Sequence, residues 1–357
     1  MMTTSAVWRR IRAEGFGTLA VMGMTKNTGK TVALNHILAC AAAESMALGV
    51  TSIGRDGEER DQVFSFPKPP VMVWPGTLVA TARDTLLRSK VRFKTVCSTG
   101  LDSPMGEIML VKVLEHGEME IAGASRSTEL LKIIAQLKQC GSDLVVLDGA
   151  LGRSHHASPA IADGVVLATG AAIGGGVQDV VRKTRDRLAI LGVPQATPEL
   201  VQRCLQVFAH GGVGIWAEDG TELFLQAIPT LNAANTLLQY ADQRVATVAV
   251  SGAVGRSLWR ALQALLAQHA GLTLVVADGT RLFVEQTDLA VFAKQGGRVV
   301  ANRGIHIAGL TVNPFSPMGG DFDAQELLDT ARAAFPHYDV MDVVLEEKSV
   351  ETLGVSA

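Results

Sequence analysis

The sequence predicts an α/β fold with a mostly parallel sheet and a second, smaller α/β domain. Apolar runs of strand length alternate with helix-length segments along the chain, which is the pattern of α/β proteins. Two runs, Leu144–Leu147 and Val165–Ala168, are entirely apolar, as buried parallel strands are. A glycine-rich loop joins the first apolar run, Thr18–Met22, to a segment whose apolar residues recur with helical spacing.

This loop has the sequence Gly23-Met-Thr-Lys-Asn-Thr-Gly-Lys-Thr31. A strand, a glycine-rich loop ending in Gly-Lys-Thr and a helix, in that order, form the phosphate-binding loop (P-loop) of nucleotide-binding proteins. The backbone N–H groups of such a loop and the positive end of its helix face the phosphate oxygens. The first domain is therefore predicted to contain a sheet of the P-loop NTPase type. A glycine turn that precedes Lys-Thr without binding anything is the alternative.

Residues of the loop have expected roles. Lys30 would reach the β- and γ-phosphates of the nucleotide, and Thr31 would place its hydroxyl on Mg²⁺. The other predicted nucleotide-binding residues are Gly23, Lys26, Asn27, Thr28 and Gly29. Five residues separate Gly23 from Gly29, whereas the common pattern has about four. The longer loop resembles that of dethiobiotin synthetase and its amidoligase relatives.

Phosphoryl transfer also needs an acid on the metal, usually at the carboxyl end of a neighbouring strand. Asp148 fits this role, because four apolar residues precede it and Gly149 lets the chain turn after it. We predict that Lys30 and Asp148 are catalytic and that Asp148 and Thr31 are metal ligands. The alternative is a strand-end aspartate that only caps the loop after it.

A second acid is expected after the next strand. Asp56 follows the β-rich run Val50–Ile53, and we predict it as a third metal ligand. The segment from Gly54 onward also has the composition of a simple polar turn. Whether Glu58 or Arg55 takes part in the site stays open at this stage.

The domain boundary is predicted after residue 243, which gives a nucleotide-binding domain of residues 1–243 and a second α/β domain of residues 244–357. The stretch 195–243 is weakly patterned and is expected to be the outer edge of the first domain or a connection. Strand-like runs at 245–250 and 307–312 are assigned to the second domain.

Both predicted domains open with a strand, a glycine loop and a helix, and both have a Leu-Val-Val-x-Asp-Gly strand end. These strand ends are Asp148-Gly149 and Asp278-Gly279. The second loop, Ser251–Gly255, has no Gly-Lys-Ser/Thr. Convergent α/β geometry explains the likeness, and so does a duplicated fold whose second copy has lost nucleotide binding.

Composition limits the functional classes. The net charge is −3 with no basic stripe carrying aromatic residues, so no nucleic-acid partner is expected. Neither a signal peptide nor an apolar run long enough for a membrane span is seen. The scattered cysteines form no CxxC motif and are expected to be reduced, mostly buried thiols of a cytoplasmic protein. They are Cys40, Cys97, Cys140 and Cys204.

Several segments together resemble the ATP-binding reactivase subunit of the adenosylcobalamin-dependent lysine 5,6-aminomutase. The similarity extends over most of the chain, from the P-loop to about Asp342. The matching segments are Gly23–Thr31, Thr51–Glu58, Asp148–Arg153, Ala157–Ala160, Leu167–Gly170 and Asn313–Pro317.

The resemblance implies a protein that uses ATP, with a second reactivase subunit, to exchange damaged cobalamin in an aminomutase for intact cofactor. No Asp-x-His-x-x-Gly cobalamin motif is present, so binding of the cofactor through histidine is not expected. The absence of the guanine-recognition pattern Asn-Lys-x-Asp favours ATP over GTP. Two alternatives remain: an ATP-dependent ligase resembling dethiobiotin synthetase, and a nucleotide-gated binding module with little turnover.

Overall fold

The computed structural model describes residues 5–53, 70–149 and 158–346. These residues form two compact units. Unit 1 contains the described parts of residues 1–157, 161–184 and 306–357, and unit 2 contains residues 158–160 and 185–305. A large mixed sheet lies in unit 1 and a smaller sheet in unit 2. The predicted fold class, α/β with a mostly parallel sheet and a second, smaller α/β unit, is confirmed.

The strands of the described residues are numbered in chain order. They are β1 (Thr18–Gly23), β2 (Leu48–Ser52), β3 (Val71–Val73), β4 (Leu78–Ala82), β5 (Phe93–Ser103), β6 (Gly106–Val113), β7 (Gly117–Met119), β8 (Leu144–Asp148), β9 (Gly164–Gly170), β10 (Val213–Ala217), β11 (Glu222–Gln226), β12 (Val245–Val250), β13 (Thr273–Val276), β14 (Arg298–Ala301), β15 (Ile307–Asn313) and β16 (Val340–Met341).

The α-helices are numbered in the same way. They are α1 (Ala6–Glu14), α2 (Lys30–Ala43), α3 (Arg83–Leu87), α4 (Ser127–Gln139), α5 (Val177–Leu191), α6 (Pro198–Arg203), α7 (Leu205–His210), α8 (Ala233–Leu238), α9 (Arg256–Gln268), α10 (Gln286–Lys294) and α11 (Ala324–Ala334).

Within the described residues, the sheet of unit 1 has nine strands in the order β16-β15-β9-β1-β8-β2-β4-β6-β5. The run from β16 to β4 is parallel throughout, and β6 and β5 extend it as antiparallel strands. Strands β8 and β9 are buried along their whole length, which their continuous apolar sequence requires. The short strands β3 and β7 pair separately with each other.

The helices of unit 1 follow the pattern of their apolar residues. In α4, the residues Leu130, Ile133, Ile134 and Leu137 are buried, which is the spacing of one helix face. Ser5 caps the amino end of helix α1, where its side chain accepts a hydrogen bond from the Trp8 amide at 3.2 Å. Gly15 caps the carboxyl end in the left-handed conformation. The buried face of α1 belongs to the same core as β1 and α2.

Unit 2 is built on a five-stranded sheet in the order β11-β10-β12-β13-β14. Strands β12, β13 and β14 are parallel, and β10 is antiparallel to both of its neighbours. Helix α9 buries Leu258, Leu262 and Leu265 in the core of this unit. The weakly patterned stretch 195–243 contains α6, α7, β10, β11 and α8.

The observed division differs from the boundary that the sequence predicts between residues 243 and 244. Residues 185–243 belong to unit 2, and the chain from residue 306 onward returns to unit 1. Strand β15 accounts for the return, because it pairs in parallel with β9 from Ile307 to Asn313. Its apolar sequence indicates a buried strand but carries no information about which sheet it joins.

Candidate functional site

The carboxyl ends of the parallel strands of unit 1 lie at one edge of the sheet. Strand β1 lies between β8 and β9, so the loop that follows Gly23 begins between two neighbouring strand ends. The amide of Met24 donates to the carbonyl of Ala168 at 2.8 Å, and the amide of Gly149 donates to the carbonyl of Val21 at 3.1 Å. These bonds fix the base of the loop to both neighbouring strands.

The loop between β1 and α2 depends on its glycines and on one turn. Gly29 has a φ of +82° and Asn27 a φ of +64°, a region in which glycine and asparagine are the residues most often found. A Cβ on Gly23 would lie 2.7 Å from Oγ1 of Thr28, so a larger residue would displace the turn. The Thr28 hydroxyl in turn donates to the carbonyl of Thr25 at 3.0 Å.

Helix α2 points its amino end at this loop. Its first regular bond runs from the Ala33 amide to the Gly29 carbonyl at 2.9 Å. The N-cap residue, Gly29, provides no side-chain hydrogen bond to the first turn. Amide groups of a first helical turn have no acceptor within the helix, and the helix dipole makes this end positive. The arrangement suits an anion held in the loop.

Lys30 and Asp148 form an ion pair at this edge. They are distant in sequence, but Lys30 begins α2 and Asp148 ends β8, the strand next to β1. Their side chains are 18% and 4% exposed, so the charges interact in a largely water-excluded place, where the attraction is stronger than at a surface. The structure therefore brings together the two residues that the sequence predicts to be catalytic.

The other predicted residues of the loop have different degrees of exposure. Thr31 is buried, 6% exposed, in the first turn of α2. Thr28 is also buried, whereas Lys26 and Asn27 are exposed on the outer part of the loop. The predicted ligand Asp56 lies outside the described residues, together with Glu58 and Arg55.

Asn313 is a residue of this site whose contact with the loop was not predicted. It ends β15, and its side-chain amide donates to the Asn27 carbonyl at 3.0 Å. A Cβ on Gly29 would lie 3.0 Å from the Cβ of Asn313, so the two residues are in close contact. Asn313 Oδ1 accepts from the Phe315 amide at 3.2 Å. The sequence does contain a signal, a buried-type strand ending in Asn-Pro, but not its position beside the loop.

We expect Asn313→Ala to loosen the loop, because the Asn27 carbonyl loses its side-chain donor. A hydrogen bond of this kind contributes about 0.5–1.5 kcal/mol. Hydrogen exchange of the amides between Lys26 and Gly29 should therefore accelerate by roughly two- to tenfold. The measurement is exchange followed by mass spectrometry.

Asn35→Ala is the matched control for this measurement. Asn35 also makes two hydrogen bonds, to the Pro70 carbonyl and from the Met72 amide, each at 3.0 Å. It makes them away from the loop, so the control should leave exchange in the loop unchanged. Equal exchange of the loop in Asn313→Ala and in the unaltered chain would show that Asn313 does not hold the loop.

Asp278 of unit 2 resembles Asp148 in sequence but differs in its contacts. It is 2% exposed, and its carboxylate accepts hydrogen bonds from the Ser158 hydroxyl at 2.7 Å and from the Thr280 amide at 2.9 Å. The Thr280 hydroxyl donates to the same carboxylate. Asp278 therefore acts as the cap of the turn that follows β13.

Within the described ranges, no three histidine, cysteine, aspartate or glutamate side chains are grouped as a metal site. None of the helices in the described part of the chain is long and apolar enough to cross a membrane. Comparison of the chain with protein-family profiles, with curated proteins and with solved structures gave no match in any of the three.

Proposed function

We propose that unit 1 binds and hydrolyses Mg-ATP at the carboxyl edge of its sheet. The observation that carries this proposal is the ion pair of Lys30 and Asp148 beside the uncapped amino end of α2. A cation for phosphate and a carboxylate for a metal thus meet at a loop whose backbone suits an anion. A strand-end aspartate that served only as a cap would not need the P-loop lysine as its partner.

The donor set fits Mg²⁺ that arrives with a nucleotide. Mg²⁺ prefers oxygen ligands and is usually held by one or two carboxylates together with phosphate oxygens and water. Asp148 provides a carboxylate and Thr31 a hydroxyl at this edge. Few protein ligands are needed, because the nucleotide phosphates and water supply the other ligands of the ion. When bound, the ion would neutralise charge on the phosphates.

The residues of the chain then have separate roles in the proposed reaction. The loop amides and the first turn of α2 bind phosphate oxygens, and Lys30 moves its ammonium group from Asp148 to the phosphates. Asp148 is then left to hold the metal. Asn313 positions the loop through the Asn27 carbonyl. Predicted roles of Lys26 in binding and of Asp56 at the metal belong to the same proposal.

We further propose that the chain is the ATP-dependent reactivating factor of an adenosylcobalamin-dependent aminomutase, acting in the cytoplasm with a second reactivase subunit. The resemblance to the reactivase at Asp148–Arg153 and Ala157–Gly170 supports this part of the proposal. ATP can drive release of damaged cofactor only if two nucleotide states of the chain differ in their contact free energy with the mutase.

The test is recovery of a cobalamin-inactivated aminomutase mixed with the second subunit, intact adenosylcobalamin and this chain. We expect recovery with ATP and little recovery with a non-hydrolysable analogue or with Lys30→Ala. Hydrolysis by the chain alone should be slow and should rise when the inactivated mutase is added. Equal recovery in all three mixtures would rule out an ATP-driven reactivase.

A ligase resembling dethiobiotin synthetase is the second candidate. The observation that favours it is the loop length, with five residues between Gly23 and Gly29. A ligase of this kind phosphorylates a carboxylate of a small substrate. Hydrolysis stimulated by a small carboxylic acid, with no response to the mutase, would favour the ligase. Tight nucleotide binding without hydrolysis in any mixture would instead indicate a binding module.

A further inference from the structure

Two of the four cysteines are exposed, and they belong to neighbouring elements of unit 1. Cys97 is on the edge strand β5, and Cys140 directly follows helix α4; both are exposed, whereas Cys40 and Cys204 are buried. The expectation of mostly buried thiols therefore holds for only half of them. Exposure makes the first two accessible to a small oxidant.

The packing of α4 against β5 brings the chain segments of the two cysteines near each other. The side-chain amide of Gln136 donates to the Thr99 carbonyl at 3.2 Å, so this turn of the helix touches this part of the strand. Cys140 lies one helical turn beyond Gln136, on the same face. Cys97 lies two residues, about 7 Å of extended strand, before Thr99. The contact that joins Gln136 to Thr99 therefore also brings Cys140 near Cys97.

The pKa of the Cys97 thiol is in line with this placement. Burial raises the pKa of the Cys97 thiol, and the charge and the hydrogen bond of the Cys140 thiol raise this pKa further. These effects act at short range, which agrees with the placement of the two cysteines by the contact of Gln136 with Thr99. Among the described residues, β5 has only β6 as a neighbour in the sheet, which leaves room for an oxidant to approach.

We propose that Cys97 and Cys140 form a reversible disulfide by exchange with a low-molecular-weight disulfide. The thiolate of one cysteine attacks the small disulfide, a mixed disulfide forms, and one small thiol leaves. The second cysteine then attacks the protein sulfur of the mixed disulfide, and a second small thiol leaves. Two electrons pass from the cysteines to the oxidant, and the two protons end on the released thiols.

The cross-link would tie the edge of the sheet to the helix that precedes β8. It closes a chain loop from Cys97 to Cys140 and so restricts the unfolded state more than the folded one. Because the contact of α4 with β5 already holds the two residues near each other, the folded chain needs little rearrangement. We therefore infer that oxidation stabilises unit 1 and that reduction reverses the effect. This inference stands independently of the proposed function.

The first experiment maps the cross-link in the full-length chain treated with oxidised glutathione. Peptide mass mapping without reductant should find the peptides of Cys97 and Cys140 joined, and dithiothreitol should separate them. Cys97→Ser and Cys140→Ser should lose the cross-link and keep glutathione on the remaining thiol. Cys40→Ser is the matched control and should still form the cross-link. Glutathione on both cysteines of the unaltered chain, without a cross-link, would overturn the proposal.

The second experiment measures thermal unfolding of the same samples. The oxidised chain should unfold several degrees above the reduced chain, and dithiothreitol should abolish the difference. Oxidised Cys97→Ser should unfold at the temperature of its reduced form. If the cross-linked chain unfolds at or below the unfolding temperature of the reduced chain, the inferred stabilisation is overturned. If the cross-link is found only between two chains, the pairing itself is overturned.

Discussion

Lys30→Ala is expected to lower the affinity for Mg-ATP roughly ten- to a hundredfold. The substitution removes the cation best placed for the phosphates, and a hydrogen bond to a charged group contributes about 1.5–3 kcal/mol. Each tenfold change in affinity corresponds to about 1.4 kcal/mol. Isothermal titration calorimetry measures the change directly. Lys132→Ala is the matched control, because Lys132 is an exposed lysine of α4, and it should bind as the unaltered chain does.

The same substitution also disturbs the folded state, and the experiment has to separate the two effects. Lys30→Ala leaves the carboxylate of Asp148, which is 4% exposed, without its ammonium partner. Removing one member of a buried pair costs up to about 3–5 kcal/mol of unfolding free energy. Part of this cost is avoided here because Lys30 itself is 18% exposed. Urea denaturation should therefore show a less stable chain.

The double variant Lys30→Ala/Asp148→Asn resolves this ambiguity. A neutral amide in place of the carboxylate removes the buried charge, so the double variant should recover much of the lost stability. It should still bind Mg-ATP weakly, because the cation for the phosphates is absent. A stable double variant that binds Mg-ATP as tightly as the unaltered chain would refute the assignment of Gly23–Thr31 as a phosphate-binding loop.

Asp148→Asn is expected to separate binding from turnover. Asparagine keeps the size of the side chain but loses the charge that a metal needs. Nucleotide affinity should be retained in part, since the loop amides and Lys30 remain. Mg²⁺-dependent hydrolysis should fall by roughly 10²–10³-fold, the usual effect of removing one electrostatic group from a reaction centre. A steady-state assay of phosphate release at saturating ATP measures this loss.

Asp143→Asn is the matched control for this variant. Asp143 directly precedes the same strand at its opposite end, where its carboxylate accepts a hydrogen bond from the Ala47 amide at 3.3 Å. The control carries the same chemical change far from the loop and should hydrolyse ATP at the normal rate. Hydrolysis at that rate by Asp148→Asn would instead show that Asp148 only caps the end of β8.

Local features of the site are visible in the sequence because they depend on neighbours along the chain. The spacing of glycines in Gly23–Gly29 specifies a turn with left-handed residues, and the apolar residues after it specify a helix. Four apolar residues ended by Asp148 specify a buried strand with an acid at its carboxyl end. These patterns follow from steric limits and burial, which act over a few residues.

Other features depend on which strands become neighbours, and only the tertiary structure decides this. Lys30 and Asp148 meet because β8 pairs with β1, and Asn313 reaches the loop because β15 pairs with β9. Lys30 and Asp148 are 118 positions apart in the sequence, and Asn27 and Asn313 are 286 positions apart.

The sequence by itself thus determined the α/β class, the loop and the strand-end acid, because each follows from local spacing and burial. It placed the boundary of the second domain after residue 243, whereas the chain returns to the first unit at residue 306. The tertiary structure alone decided that return, the contact of Asn313 with the loop and the packing of α4 against β5. Hydrophobic periodicity reports that a strand or helix is buried, but the partner is chosen by the packing of the whole unit.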